Sequence, residues 1–355
     1  MIIKRTIKAI LAKYGYYLIR VINPENEVYY CRALTGMSDN NISINSDLSV
    51  SCNCQDSKGQ GIIGNLNGTN TLRSVFLSEK ANTMRTELAN GKLPTEICSG
   101  CQELCAAPKH IAEYYSKHIK MPVNGIMLEN CSSCNCNCIN CARKDISAVR
   151  TSSIISVDDM KYIANEIKEN KIKHIKFFKL GEPFLDKNIY RNLQILRETN
   201  PGIDITTSTN GLSIDNSEKV AAALMFDSIY FSISGINTEI QNKYQRCADF
   251  DKIMDNVKMI VKERGSSTKP VLVWKYIVFS WNDAAEHINE AFLKAAEIGF
   301  DKLLFTEGDL PKANINDRTK RYYKKDFIPE DIKYKLIVYV PKHGMEFDLH
   351  EKNGA

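Results

Sequence analysis

The chain has 355 residues, of which 43% are hydrophobic and 25% are charged, and its formal net charge is +5. These fractions are typical of a globular protein, and so mild a positive charge excludes a strongly basic nucleic-acid surface, so we expect no nucleic-acid partner. The sequence contains no run of about 18 uninterrupted apolar residues, and its first residues lack the small-residue cleavage site of an export signal. We therefore expect a cytoplasmic protein with no transmembrane segment.

The first 110 residues divide into two predicted parts. Residues 1–24 carry Lys4, Arg5, Lys8 and Lys13 among apolar residues at helical spacing, which predicts a basic amphipathic helix. Such a helix can pack on its own domain, and docking on an anionic membrane surface or a partner is the alternative. Residues 25–110 combine short β-like pieces, a helix around residues 76–90 and two groups of cysteines. So few apolar residues predict a small domain that a metal group must stabilise.

Residues 122–308 alternate between short β-rich runs and longer amphipathic segments, which is the pattern of a parallel α/β domain. The predicted strands are residues 125–130, 174–181, 204–211, 228–235, 270–279 and 302–308. The predicted helices are residues 157–171, 188–199, 216–225, 250–264 and 284–298, and Asp158 suits an N-cap or first-turn position of the first of them. Six βα units predict a partial (β/α)6 barrel, because a closed barrel needs eight. Residues 309–355 form a C-terminal tail to which the sequence assigns no role.

Cysteine is the informative residue type, because eleven of the twelve cysteines fall within the first 141 residues. In a cytosolic chain such crowding indicates metal binding rather than disulfides. Cys134, Cys138 and Cys141 directly follow the first predicted strand, and three thiolates on one tight loop can bind three corners of a [4Fe-4S] cluster and leave the fourth iron open. A closed zinc site is the alternative, since Cys131 and Cys136 could complete four ligands.

Four motifs then occur in the order in which the radical SAM superfamily carries them, and residues 122–308 resemble that superfamily. The segment KLGEPFL is similar to its glycine-glycine-glutamate-proline motif, with Leu180 in place of the first glycine; STNGL, FSISG and KYQRCADF are similar to later motifs. The resemblance implies that Gly181, Glu182 and Pro183 contact the amino group of S-adenosylmethionine (SAM). It places Ser208, Thr209 and Asn210 near the ribose. It also implies that Ser232 on the fourth strand contacts SAM and that Arg246 pairs with its carboxylate.

The same resemblance implies an activity. A radical SAM enzyme cleaves SAM reductively to a 5′-deoxyadenosyl radical, which abstracts a hydrogen atom from the substrate, and it takes its electron from a donor such as flavodoxin or ferredoxin. We expect an oxidoreductase or epimerase that oxidises, cross-links or epimerises a peptide or sugar. Methyl transfer is less favoured, because the chain has no recognisable cobalamin domain. The alternative from another class is a zinc-stapled binding or assembly module without radical chemistry.

The N-terminal cysteines resemble the SPASM or twitch domain, which carries auxiliary clusters. Cys31, Cys52, the turn Ile63-Gly64-Asn65 and a closing cysteine group follow that domain's order, although the domain normally follows the barrel and its later cysteines are missing here. One auxiliary [4Fe-4S] cluster is therefore expected rather than two, and a four-thiolate zinc site is the alternative. The expected ligands are Cys52, Cys98, Cys101 and Cys105, with Cys31 and Cys54 as reserves.

Cys247 directly follows Arg246 and is the only cysteine beyond residue 141. One hypothesis is that its thiol returns a hydrogen atom to the substrate radical, which would make the reaction an epimerisation. The alternative is a buried packing cysteine.

Overall fold

The computed structural model describes residues 27–39, 42–52, 54, 56–139, 141–146, 148–246, 248–279, 281–307, 334–340 and 344–352. The predicted helix within residues 1–24 and the predicted hydrogen donor Cys247 lie outside the described residues, as does most of the first half of the C-terminal tail.

Fifteen strands are described, numbered here in chain order. They are β1 (Glu27–Cys31), β2 (Ser43–Ile44), β3 (Ser49–Ser51), β4 (Ile62–Asn65), β5 (Leu104–Pro108), β6 (Ile126–Leu128), β7 (Asn137–Cys138), β8 (His174–Lys176), β9 (Asp204–Thr209), β10 (Ser228–Ser232), β11 (Gln245–Arg246), β12 (Val271–Val278), β13 (Lys302–Glu307), β14 (Tyr334–Val340) and β15 (Gly344–Lys352).

Ten α-helices are described. They are α1 (Leu72–Phe76), α2 (Glu79–Ala89), α3 (Lys109–Lys117), α4 (Arg143–Ile146), α5 (Val157–Glu169), α6 (Ile189–Thr199), α7 (Ser217–Ala223), α8 (Thr238–Asn242), α9 (Phe250–Arg264) and α10 (Ala285–Ile298).

The centre of the fold is a parallel sheet made of the six predicted strands. Strands β6, β8, β9, β10, β12 and β13 are adjacent in that order, and every neighbouring pair is parallel. The larger helices of the predicted set follow these strands as α5, α6, α7, α9 and α10. This arrangement confirms the predicted α/β class. The sheet is open, since the two ends of the described strand order are not paired with each other, as a partial barrel requires.

Local sequence explains why these elements form. Helix α5 begins at a cap in which the Ser156 hydroxyl accepts a hydrogen bond from the Asp159 amide, 3.1 Å away, and Asp158 lies in the first turn. Strand β12 is almost wholly buried, because helices cover a parallel sheet on its faces. Its Trp274 and Tyr276 are fully buried, and the Trp274 ring lies 5.4 Å from that of Phe300. One aromatic cluster of the core therefore packs around β12.

The N-terminal part is joined to the same sheet. Strand β2 pairs in parallel with β6, and β3 and β4 follow it antiparallel, so the predicted small domain extends the central sheet. Strands β1 and β5 form a separate antiparallel pair beside it. The predicted helix around residues 76–90 is present as α1 and α2.

The described part of the C-terminal tail forms an antiparallel hairpin of β14 and β15. Strand β15 pairs antiparallel with β13, which places the hairpin at the other edge of the sheet. Among the helices that the structure describes, none combines the length and the apolar character needed to cross a bilayer.

Candidate radical SAM site

The candidate site lies where the parallel strands end. Loops that follow β6, β8, β9 and β10 meet at the carboxyl edge of the sheet, which is where parallel α/β folds bind their ligands. The cysteine loop follows β6, the GEP segment follows β8, and the STNG segment ends β9.

The cysteine loop is fixed by short-range and long-range pairing. Within the loop, the Cys141 amide donates to the Cys138 carbonyl at 3.3 Å, and the Cys136 amide lies 3.4 Å from the Cys134 sulfur. Strand β7, which contains Cys138, pairs antiparallel with β11, so that Arg246 is opposite Asn137. Arg246, the predicted carboxylate contact, is exposed beside this loop.

The thiols of the loop act on one another electrostatically. A hydrogen bond with the Cys136 thiol lowers the pKa of Cys134 to about 6, although burial opposes it. Burial raises the pKa of Cys138 to about 12, and the nearby thiols of Cys141 and Cys134 add to this rise. The hydrogen bond to Cys134, followed by burial, raises the pKa of Cys136. These mutual effects show that the loop gathers its cysteines in one region.

These residues fit an iron-sulfur cluster. All eleven described cysteines are free of disulfides, so the loop offers thiols as ligands. Among the described residues, no three Cys, His, Asp or Glu side chains surround one point closely enough to hold a single metal ion. A cubane binds each thiolate through a different iron, so thiols that are spread along a loop can still serve it.

Gly181 makes the tightest backbone approach in the site. A Cβ atom at this position would lie 2.1 Å from the Cys131 carbonyl oxygen and 2.7 Å from two backbone atoms of Ser132. The next amide, that of Glu182, donates to the Ser133 carbonyl at 2.7 Å. Only glycine allows the β8 loop to lie against the start of the cysteine loop.

Glu182 connects the strand ends through its side chain. Its carboxylate accepts the Thr209 hydroxyl at 2.6 Å, the Asn210 amide at 2.8 Å and the Phe184 amide at 3.2 Å. Burial raises its pKa to about 7, although these three donors oppose the rise. Pro183 is buried behind it, and its carbonyl accepts from Asn130 at 3.0 Å. The observed role of Glu182 is to join loops, and its contact with a methionyl amino group stays a prediction.

The predicted ribose contacts lie on two adjacent strands. Asn210 bonds the cysteine loop through its side-chain amide, 2.7 Å from Asn135 Oδ1 and 3.8 Å from the Cys134 sulfur. The Ser208 hydroxyl lies 3.2 Å from that of Ser232 on β10, and Thr209 is buried against Glu182. The structure therefore brings Cys134, Glu182 and Asn210 together, with the Ser208 and Ser232 hydroxyls on the neighbouring strands.

A second group of cysteines lines an apolar cavity in the N-terminal part. The cavity is bordered by Cys31, Cys52, Cys98 and Cys101 together with Leu34, Met84, Leu88, Ile97 and Leu104. We call this the four-thiol cavity. Burial raises the pKa of Cys31 to about 12, and burial, followed by the nearby thiols of Cys31 and Cys98, raises that of Cys52. Thiols held neutral in this way lose their protons when a metal binds them.

Strand register explains why Cys31 lines this cavity and Cys105 does not. Cys31 is opposite Leu104, another residue of the lining, whereas Cys105 is opposite Tyr30. Successive side chains of a strand point to opposite faces, so Cys105 faces away from Leu104. The Cys105 thiol hydrogen-bonds Tyr30, and that bond, together with the larger effect of burial, raises the pKa of Tyr30 to about 12. The strand register therefore places Cys31, and not Cys105, at the cavity, and the ligand set of an auxiliary cluster stays a prediction.

Three buried charged residues lie near the site, and the sequence did not predict their role there. Glu129 and Arg150 form an ion pair with 2.8 Å between Nε and Oε2, and Lys179 lies close enough for both to influence its pKa. Cys54, the other reserve ligand, has its pKa raised by burial while Lys179 opposes the rise, so its thiol lies by this group. The available sequence signal was Lys179, a charge within the buried-strand segment FFKLGEP.

Residues 131–290 match the family model described as the radical SAM superfamily. Residues 131–290 therefore form a radical SAM domain. Radical SAM domains depend on SAM and a [4Fe-4S] cluster, so the match supports SAM-dependent radical chemistry in this domain. The family match also favours an enzyme over a zinc-stapled module. Among curated proteins, none matches the chain in sequence.

Three solved structures illustrate the similarity in fold. A structure of TYW1 with a lysine-pyruvate adduct bound is 17% identical, with a TM-score of 0.41 over 61% of this chain and 76% of that one. Native anSMEcpe with bound AdoMet is 20% identical, with a TM-score of 0.41 over 52% and 51%. Coproporphyrinogen III oxidase (HemN) from Escherichia coli, described as a radical SAM enzyme, is 16% identical, with a TM-score of 0.34 over 58% and 48%. Similarities this low carry no argument about substrate, and this chain spans about half of the last two proteins.

Proposed function

We propose that this enzyme abstracts a hydrogen atom from a peptide or sugar substrate, and that an auxiliary [4Fe-4S] cluster is bound by Cys31, Cys52, Cys98 and Cys101. The observation that carries the proposal is the convergence of these four thiols on one cavity, separate from the cysteine loop. Four thiolates are a complete ligand set for a cubane.

The residues of the radical SAM site have distinct tasks in this proposal. When a [4Fe-4S] cluster and SAM are bound there, they supply the 5′-deoxyadenosyl radical that takes one hydrogen atom from the substrate. Cys134, Cys138 and Cys141 would hold the cluster, and Asn210 fixes their loop through Asn135. Polar groups are available for the cofactor at three places: the backbone around Gly181, the hydroxyls of Ser208 and Ser232, and the exposed Arg246.

A cluster in the four-thiol cavity would influence which product the enzyme forms. A redox-active cluster there would supply a way to accept an electron, which favours oxidation or cross-linking over epimerisation. The epimerisation hypothesis depends on Cys247, which lies outside the described residues and stays a prediction. Electron delivery by a flavodoxin or ferredoxin is part of the same proposal.

Iron counting tests the ligand sets. Anaerobically reconstituted wild type should hold about eight irons per chain, and Cys31→Ala should hold about four because it loses one ligand of the auxiliary cluster. Cys105→Ala is the matched control and should keep about eight. Loss of iron from Cys105→Ala but not from Cys31→Ala would contradict the ligand set, and stoichiometric zinc in place of the second cluster would contradict the auxiliary [4Fe-4S] cluster.

SAM cleavage tests the radical chemistry separately. With dithionite as reductant, the wild type should release 5′-deoxyadenosine, which chromatography measures directly. The triple variant Cys134→Ala, Cys138→Ala, Cys141→Ala should release none while it keeps about four irons. Release of 5′-deoxyadenosine by that variant would show that another site reduces SAM.

A further inference from the structure

A group of buried charged side chains lies at the same carboxyl edge of the sheet and has no part in the tasks above. Glu129 directly follows β6, Lys179 follows β8, and Arg150 follows the cysteine loop. The side chains of Arg150 and Glu129 are 2% and 0% exposed, and Lys179 is 9% exposed. We call Glu129, Arg150 and Lys179 the buried charge group.

The hydrogen bonds of this group engage only one of the three nitrogen atoms of the Arg150 guanidinium. Arg150 bonds Glu129 through Nε only, at 2.8 Å, and the Lys179 ammonium donates to the Asn45 side-chain oxygen at 2.8 Å. Among the described residues, Nη1 and Nη2 of Arg150 are buried and have no hydrogen-bond partner, and Oε1 of Glu129 also has none. Buried donors of a charged group are almost always paired, so two unpaired Nη atoms indicate that an acceptor binds there.

The donor geometry of Arg150 indicates the kind of acceptor. The fully buried Asp56 also lies near this group, so Arg150 and Lys179 face the carboxylates of Glu129 and Asp56, and only Nε of the guanidinium is hydrogen-bonded. Burial lowers the pKa of Lys179 to about 8, and the negative charge of Glu129 opposes the shift, so its ammonium stays mostly charged at neutral pH. The two oxygens of a carboxylate match the two parallel N–H groups of a guanidinium, so a carboxylate is the acceptor that fits the unpaired Nη atoms.

The position of the group suits a substrate. On one side, Lys179 is two residues before Gly181, whose backbone lies on the cysteine loop. On the other side, Asp56 accepts the Gly61 amide at 2.9 Å, and a Cβ on Gly61 would lie 3.0 Å from the Cys52 sulfur of the four-thiol cavity. The buried charge group therefore lies between the two candidate cluster sites.

We propose that Arg150 and Lys179 bind a carboxylate group of the substrate. This inference rests on the proposed function only in calling the bound molecule a substrate, since the binding itself requires no radical chemistry. The carboxylate occupies the unpaired side of the Arg150 guanidinium, and Lys179 supplies the second positive charge.

Acetate is the probe, and binding to the anaerobic holoenzyme is measured by calorimetry at constant ionic strength with chloride as the exchanged anion. Wild type should bind acetate, and methylammonium should not bind. Arg150→Lys keeps a positive charge beside Glu129 but loses the bidentate guanidinium donor. The acetate affinity of this variant should therefore fall about tenfold or more. Lys179→Met should weaken acetate by a similar factor, and the exposed-residue control Arg191→Gln should bind acetate as wild type does.

Two further outcomes decide the assignment. SAM affinity should be unchanged by saturating acetate, and competition between the two would overturn the proposal by assigning these cations to the methionyl carboxylate. Absence of acetate binding in wild type, or equal binding in wild type and both site variants, would also overturn it. If Arg150→Lys fails to fold, the wild-type and Lys179→Met measurements still decide. Because SAM cleavage is assayed separately, failure here leaves the radical chemistry intact.

Discussion

Replacing Gly181 by alanine should disable SAM cleavage through geometry alone. The added Cβ would lie 2.1 Å from the Cys131 carbonyl oxygen, and ordinary contact begins at 3.4 Å. The β8 loop and the cysteine loop must therefore separate by about 1.3 Å, and the neighbouring atoms are backbone that cannot rotate away. A displacement of about 1 Å at a reacting site costs on the order of 100-fold in rate. We expect 5′-deoxyadenosine formation by Gly181→Ala to fall by about that factor.

The control is Gly202→Ala, in a turn where φ is +82° and nothing lies within 4 Å of the added atom. Both variants should lose about 1 to 3 kcal/mol of unfolding free energy, from backbone strain in one and overpacking in the other. Only Gly181→Ala should lose SAM cleavage, measured by chromatography under dithionite with iron content as a parallel readout. A Gly181→Ala enzyme that cleaves SAM at the wild-type rate would refute the close approach of the two loops.

Two predictions concern buried hydrogen bonds. Thr209→Val removes a donor from the Glu182 carboxylate and should cost about 2 kcal/mol of stability. Because the folded pKa of Glu182 is raised to about 7, its contribution to stability weakens as pH rises from the ordinary value of 4.5 through 7. Thr209 donates to the charged form, so the stability loss of Thr209→Val in thermal unfolding should be larger at pH 8 than at pH 6. An equal loss at both pH values would contradict this. In Asp227, hydrogen bonds from Lys269, a backbone amide and Arg197 outweigh burial and lower the pKa to about 2. Asp227→Asn should therefore cost about 1 to 2 kcal/mol at neutral pH, an amount reduced by the exposure of Lys269, and this cost should shrink only as pH falls below about 4; a neutral-pH melting temperature equal to that of wild type would contradict it.

The central sheet could be predicted because its signals are local. The first five of the six parallel strands are each followed by an amphipathic helix, and both periods are visible in a single window of sequence. The two edges of the sheet could not be predicted in this way. Strand β2 has two residues, and its pairing with β6 spans about 80 residues of intervening chain. The apolar run KLIVYV gave no indication that it would form β14 and pair with β15, which itself pairs with β13.

The candidate site shows the same division. The order of the motifs predicted that Cys134, Glu182 and Asn210 would meet, because parallel strands bring their carboxyl ends to one edge. Counting cysteines could not choose between Cys31 and Cys105, since the choice depends on which face of a strand pair each residue occupies. The pairing of Arg150 with Glu129 was equally hidden, because a buried charge in sequence resembles an exposed one until its neighbours are known.

The pairing of β7 with β11 has a consequence for how the protein is made in the cell. A growing polypeptide leaves the ribosome from its amino end, so the three thiols of the cysteine loop emerge well before Gln245 and Arg246 have been synthesised. Until then the loop lacks the strand that fixes Cys138 and the asparagine that anchors Asn135. Iron delivery to this loop by the cell's assembly machinery should therefore follow translation of the fourth parallel strand and the segment after it.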